Sequence, residues 1–302
     1  MLAAMRRLPG PALIGLATVL WGTTGTTQAL APEAATPLTI GALRLLVASI
    51  AIAGIAAIMR QSPPAGGLRR PATLLAALGV AAYQPFFFLA VDRTGVVLGT
   101  IVAIGSAPVF AGLLAWAYDR TPPTKLWVGA TTAAIAGVAL LVAAGRDIGT
   151  STEGILFALA AGAAYATYVI AARQLARDGK VVATTAVIFA LAAVLLLPLL
   201  ASSDLGWVGT AGGAVAVLHL GILATAVAYL LFATGLKSTR STTATTLSLG
   251  EPLTAALLGV IAVGERPPLL GWAGFGLVLI ALIAVATEGR SNRFFESRTS
   301  RA

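Results

Sequence analysis

Long apolar runs follow one another along almost the whole chain, separated by short polar punctuation. A helix needs about 20 apolar residues to cross roughly 30 Å of hydrocarbon. On that measure the pattern predicts ten spans, over residues 11–30, 39–59, 71–91, 95–117, 125–144, 153–175, 181–200, 213–235, 241–262 and 268–287. The separators carry proline, glycine and charge, as in Gln61-Ser62-Pro63-Pro64, Thr121-Pro122-Pro123, Arg177-Asp178-Gly179-Lys180 and Arg266-Pro267-Pro268. They are shortest around 92–94 and 237–240, where consecutive spans nearly touch. No window alternates with the period of two that a membrane barrel strand requires. The expected fold class is an all-α polytopic membrane protein.

Composition agrees. Of 302 residues, 58% are hydrophobic and 10% charged, whereas a water-facing surface of this size calls for about 25% charged residues. Lipid is therefore the expected solvent. Twenty Lys and Arg stand against eleven Asp and Glu, a net charge of +9. No basic stripe interleaved with aromatics accompanies that charge, so nucleic acid is not an expected partner. The basic residues instead set orientation. With the N-terminus in the cytoplasm, sixteen fall on inner segments and three (Arg93, Arg146 and Arg266) on outer ones, while Arg44 lies within a span. Both termini are then cytoplasmic. Arg6, Arg7 and the later Ala29-Leu30-Ala31 resemble a cleavable leader, but Pro32 disfavours cleavage and the run is long enough to span, so the first helix is expected to be retained. Cysteine is absent, which removes disulfides, thiolate nucleophiles and Cys-based metal sites.

The two halves align on each other at an offset of 144 residues. Trp21 then matches Tyr165, Pro108 matches Pro252, and Asp92-Arg93-Thr94 matches Leu236-Lys237-Ser238. Asp119-Arg120 and Glu265-Arg266 follow with a two-residue shift, each before a tryptophan, Trp127 and Trp272. Five spans per half is an odd number, so the second half enters from the opposite side, as an inverted repeat. The expected organisation is a first repeat over 1–147, a second over 148–288 and a basic cytoplasmic tail over 289–302.

These residues resemble the drug/metabolite transporter superfamily in its ten-helix EamA-type branch. The resemblance is carried by Leu20-Trp21-Gly22, Arg44, Ser106-Ala107-Pro108, Ala233-Thr234-Gly235-Leu236-Lys237-Ser238-Thr239, Gly250-Glu251-Pro252 and Gly264-Glu265-Arg266. It covers about residues 12–287, with Ala107 departing from the pattern where its twin has Glu251. It implies export of small metabolites across the bacterial inner membrane, with aromatic amino-acid exporters as the nearest suggested relatives.

Polar side chains within spans are costly unless they face a cavity or a partner. Gln28, Arg44, Gln84 and His219 sit at similar depth, a level that fits the wall of an outward-opening vestibule. Gln28 is equally readable as an interfacial residue, and His219 as a packing histidine. Arg44 either locks helices together or receives a substrate carboxylate. Glu251, beside the helix-breaking Pro252, fits a proton-coupling site, a contact for a substrate ammonium, or a buried structural acid. Trp21, Tyr83, Tyr165, Tyr168 and Tyr229 provide rings for an amphipathic pocket, while Trp116, Trp127, Trp207 and Trp272 at span ends read as an interfacial belt. The expected substrate-binding set is Trp21, Tyr83, Gln84, Tyr165, His219 and Arg44, with Glu251 as the coupling residue.

Enzyme chemistry lacks its parts, with one His, no Cys, no HExxH and no paired aspartates. An ATP-driven pump would need a GxxxxGK[ST] loop, which does not occur. The expectation is a secondary transporter of amino acids or similar metabolites, without cofactor or metal. An uncoupled facilitator and a multidrug or amine exporter of the same fold are the alternatives. The oligomeric state is left open, a monomer included.

Overall fold

The computed structural model describes residues 8–63, 66–120, 122–143, 151–258, 260–261 and 268–299. Arg6, Arg7, Arg146, Glu265, Arg266 and Arg301, used above for orientation and alignment, lie outside them. In chain order the helices are α1 (Gly10–Gly22), α2 (Thr24–Ala29), α3 (Pro37–Ile58), α4 (Pro71–Thr94), α5 (Gly99–Ala117), α6 (Lys125–Ala143), α7 (Thr152–Ala176), α8 (Val181–Ala201), α9 (Ala211–Leu236), α10 (Ser241–Leu247), α11 (Gly250–Leu258) and α12 (Leu269–Thr299). No strand occurs among the described residues.

Local chemistry explains several starts. Proline, which tolerates a first turn because its missing N–H has no partner there, opens α3 and α4. Side-chain oxygens of Thr36, Ser151 and Thr210 accept from the free N–H groups of Thr39, Gly154 and Gly213, capping α3, α7 and α9. Helical backbone continues from α4 into α5, yet the chain reverses there. A Cβ added to Gly99 would stand 3.1 Å from the backbone of Val91, whereas eight residues of straight helix cover about 12 Å.

Seven helices are long and apolar enough to cross a membrane: α3, α4, α5, α7, α8, α9 and α12 as far as Glu288. The expected single helices over 11–30 and 241–262 are each broken, the first at Thr23 and the second at Ser248–Leu249. In α6 the apolar stretch is the shorter Lys125–Leu140. α12 continues helical through the expected basic tail as far as Thr299. Pro85 and Pro108 lie inside continuous helix, so neither breaks its span.

The helices pack through small residues, because lipid provides no hydrophobic drive between them and close van der Waals approach must do the work. α4 and α7 run antiparallel, with the ion pair Arg70–Asp178 at one end and Arg93–Glu153 at the other. Between those ends a Cβ on Gly79 would stand 2.6 Å from the Ala164 carbonyl and 2.8 Å from the Tyr168 nitrogen. α3 lies along α8, and α6 along α12, where Gly137 meets Val278 and the Gly274 carbonyl.

Contacts also recur with partners exchanged between the halves. Gly10 packs on Ser238, and Gly154, 144 residues later, packs on Thr94, 144 residues before Ser238. Gly162 packs on Ser106, and Gly250 on Thr18, in the same exchanged register. The outward faces of these helices expose large aliphatics, with Ile50 at 65%, Leu156 at 61% and Ile280 at 68% exposure. Such faces on seven apolar helices make this a multi-pass membrane protein.

Gly79→Leu should force α4 and α7 apart, costing about 1–3 kcal/mol and lowering the melting temperature in detergent. Gly54→Leu, where an added Cβ meets nothing within 4 Å, should melt like the parent. Equal melting of both variants would refute the close approach.

Candidate functional site

A cavity opens where helices of both halves meet, with about 520 Å³ of empty space counting its open mouth. Its position follows from the broken helices. Thr23 ends α1 with its hydroxyl on the Leu20 carbonyl at 2.7 Å, and Trp21 and Thr24, on either side of that break, line the cavity. At the second break Pro252 has no N–H to give the Ser248 carbonyl four residues back. The Glu251 N–H takes that carbonyl instead at 3.0 Å, in a tighter turn. Ser248 and Glu251 thereby reach the cavity. α1 and α11 touch at this level, where Gly22 meets Thr254 and the Glu251 carbonyl. Irregular backbone at membrane depth is tolerated where it lines a cavity or is buried in protein, and both breaks satisfy that condition.

The walls are largely aromatic. Trp21 meets Tyr165 edge-on at 6.3 Å and Tyr229 at 5.0 Å, and Tyr83 lies 5.9 Å from Tyr165. The Tyr165 hydroxyl shares a 2.7 Å hydrogen bond with the Ser248 hydroxyl, fixing that ring. α5 contributes the apolar wall, Ala103, Ile104 and Ala107.

Two opposite charges complete the site. Arg44 on α3 and Glu251 on α11 both line the cavity. They do not form an ion pair, and neither has one among the described residues. Arg44 Nη2 donates instead to Gln84 Oε1 at 3.1 Å. The Nε of Arg44 and the indole N–H of Trp21 are buried with no hydrogen-bond partner, so the fold leaves donor capacity unused at the cavity wall.

Of the residues singled out in the sequence, Trp21, Arg44, Tyr83, Tyr165 and Glu251 line this one cavity. Gln84 is not at the cavity but behind Arg44, at 2% exposure. His219 begins a π-helical stretch of α9, His219–Val227, and its Nε2 lies 2.9 Å from the Thr23 hydroxyl, so it props the α1 break rather than lining the cavity. Gln28 sits half-buried on α2, apart from the cavity. The four-residue vestibule level therefore resolves into one Arg–Gln pair, one histidine at a helix break and one separate glutamine. Tyr168 is enclosed in the core at 1% exposure. Trp116 and Trp272 are exposed as a belt requires, whereas Trp127 and Trp207 are buried against neighbouring helices.

Sequence reasoning missed Thr24 and Ser248. Ser248 lies 144 residues after Ile104, and both line the cavity. The same holds for Trp21 with Tyr165 and for Ala107 with Glu251. Three pairs of equivalent positions therefore face one space. No cluster of three His, Asp or Glu side chains able to hold a metal occurs among the described residues.

The comparisons with known proteins agree with this architecture. The chain is 42% identical over 282 residues to the Bacillus subtilis (strain 168) protein named uncharacterized transporter YwfM, covering 93% of this chain and 95% of that one. It is 23% identical over 219 residues to the Salmonella typhimurium protein named uncharacterized inner membrane transporter YicL, covering 72% and 73% of the two chains. A crystal structure 23% identical in sequence shares the fold, with a TM-score of 0.77 over 93% of this chain and 98% of the other. The sequence model of the EamA-like transporter family matches twice, over residues 8–143 and again over 152–287, so the chain belongs to the EamA-like transporter family.

Proposed function

We propose that the protein is a secondary transporter that exports small metabolites, amino acids and aromatic ones foremost, across the bacterial inner membrane by alternating access. The observation that carries this reading is the cavity itself, an aromatic space with a guanidinium and a carboxylate on separate helices and no ion pair between them. An amino acid complements it, with its carboxylate toward Arg44, its ammonium toward Glu251 and its side chain among the rings. A site for simple amines would have no use for Arg44.

The topology proposed is ten crossings in two inverted five-helix repeats, over 1–147 and 148–288, with both termini cytoplasmic. The broken α1/α2 and α10/α11 segments and the shorter α6 add three crossings to the seven long helices. The exchanged contacts and the three equivalent pairs facing one cavity support an inverted relation between the halves. The side assignment is supported by cross-links between residues placed on the same side, namely Arg70 with Asp178, Arg93 with Glu153, and Thr39 with Ser203 at 3.1 Å. Broken helices meeting at a central site are a recurrent device of secondary transporters.

Counterflow into liposomes containing the full chain tests the function, with a panel of the twenty amino acids, small amines and nucleosides. Transport of at least one amino acid is expected, and transport of amines or nucleosides alone would overturn the assignment. Trp21→Ala and Tyr165→Ala should each lower uptake about tenfold, the scale of one lost aromatic contact, at unchanged yield of folded protein. Retained uptake in both would remove these rings from the site. Glu251→Gln keeps the shape and removes the titrating group, so it should abolish acceleration by an imposed pH gradient. If the gradient still accelerates transport in Glu251→Gln, coupling lies elsewhere, and if it has no effect on the parent protein, the protein is a facilitator.

A further inference from the structure

We infer that Gln84 is a positioning residue that makes the cavity selective for carboxylate-bearing substrates, by holding the Arg44 guanidinium in place without neutralising it. The inference rests on the cavity being the transport site.

The pair is built into the contact between α3 and α4. Gln84 is almost fully enclosed, and its Oε1 accepts from Arg44 Nη2 at 3.1 Å. The approach requires glycine one turn before Arg44. A Cβ on Gly41 would stand 3.1 Å from Oε1 and 2.9 Å from the Phe88 ring. A larger residue there would crowd both the amide and the Phe88 ring, so glycine at this position leaves the amide room to reach Arg44.

An arginine at membrane depth is costly and ordinarily finds a carboxylate or backbone carbonyls. A glutamate at position 84 would have met that need within the fold. The amide accepts one N–H bond and fixes the guanidinium plane, but it carries no charge. The positive charge is therefore left without an ion-pair partner among the described residues. Glu251, the one acid among the residues lining the cavity, makes no ion pair with it and remains available to an ammonium. The counter-charge for Arg44 is then the substrate's own carboxylate. A substrate lacking that group leaves a desolvated cation unpaired, which is the arrangement a site rejects most strongly.

Gln84→Glu is nearly isosteric and installs an internal carboxylate at the guanidinium. Gln84→Met keeps the length and removes the acceptor. Both are to be made in the full chain, checked for melting temperature in detergent, and reconstituted. The two probes are the best-transported amino acid of the panel and its carboxamide, which keeps the ammonium and side chain but lacks the carboxylate. The parent should prefer the acid. Gln84→Glu should reduce the acid-to-carboxamide ratio of kcat/KM about tenfold or more, the scale of a lost charged hydrogen bond, through a raised KM for the acid. Gln84→Met should raise the KM for the acid and leave the carboxamide nearly unchanged, and it carries the test alone if the glutamate variant does not fold. An unchanged ratio, or an equal loss for both probes in stably folded variants, overturns the role of Gln84. Parent vesicles that move no amino acid overturn the transport reading and this inference with it.

Discussion

In hydrocarbon every unpaired backbone N–H or carbonyl costs several kcal/mol, and this constraint arranges the whole molecule. Long helices satisfy it by default. Where the helical ladder fails, a replacement bond stands at hand. The Thr23 hydroxyl takes the Leu20 carbonyl, and the Glu251 N–H takes the Ser248 carbonyl. In the π-helical stretch of α9 the Thr225 hydroxyl reaches the Leu220 carbonyl at 2.6 Å. Two of these repaired places, at Thr23 and Ser248, flank the cavity, and His219 joins the third to the first through Thr23. These disruptions of the regular backbone thus lie at or beside the polar cavity that accommodates them.

Close packing explains the rest of the frame. Helices surrounded by lipid gain little from burying leucine, and the contacts that count are those where glycine lets a neighbouring backbone approach. The α4/α7 pair has such a contact at Gly79 and an ion pair at each end. Its counterpart, α1 with α9, has at Gly10 the equivalent of the Gly154–Thr94 contact but not the ion pair at that end. Lys237 stands at the position equivalent to Arg93, and Pro9 at that equivalent to Glu153. The same counterpart contains the Thr23 break and the π-helical stretch. One side of the cavity is therefore a braced pair and the other a pair of irregular helices, within a chain whose halves share a common pattern.

Much of this was legible in the sequence because polar and aromatic residues are rare within the spans. Arg44 and Glu251 stood out as charges at membrane depth, and Trp21 with Tyr165 as rings at equivalent positions. Pro252 signalled the second helix break, whereas the first, at Thr23, and the exact place of the second were not legible. Thr23-Thr24 and the run from Ser241 to Ser248 barely lower the apolar average of their spans, and a π-helical turn leaves no periodic trace. Ser248 was hidden for the same reason, since hydroxyls in such a run usually bond to their own helix. Gln84 reads from the sequence as a polar residue within a span and a candidate for the cavity wall, but hydropathy does not tell a side chain facing a cavity from one standing behind it. That distinction depends on Gly41, which matters only once α3 and α4 are side by side.

The equivalent positions Ala107 and Glu251 face the same cavity, one with a methyl group and one with an acid. Two identical halves would have set two carboxyl groups there, and the first to ionise would have hindered the second. On the coupling role proposed for Glu251, a single acid caps the stoichiometry carried by this wall at one proton per turnover. On that same proposal, the difference between the two halves at this position would set an upper limit on how steeply a proton gradient can be converted, through this site, into a gradient of cargo.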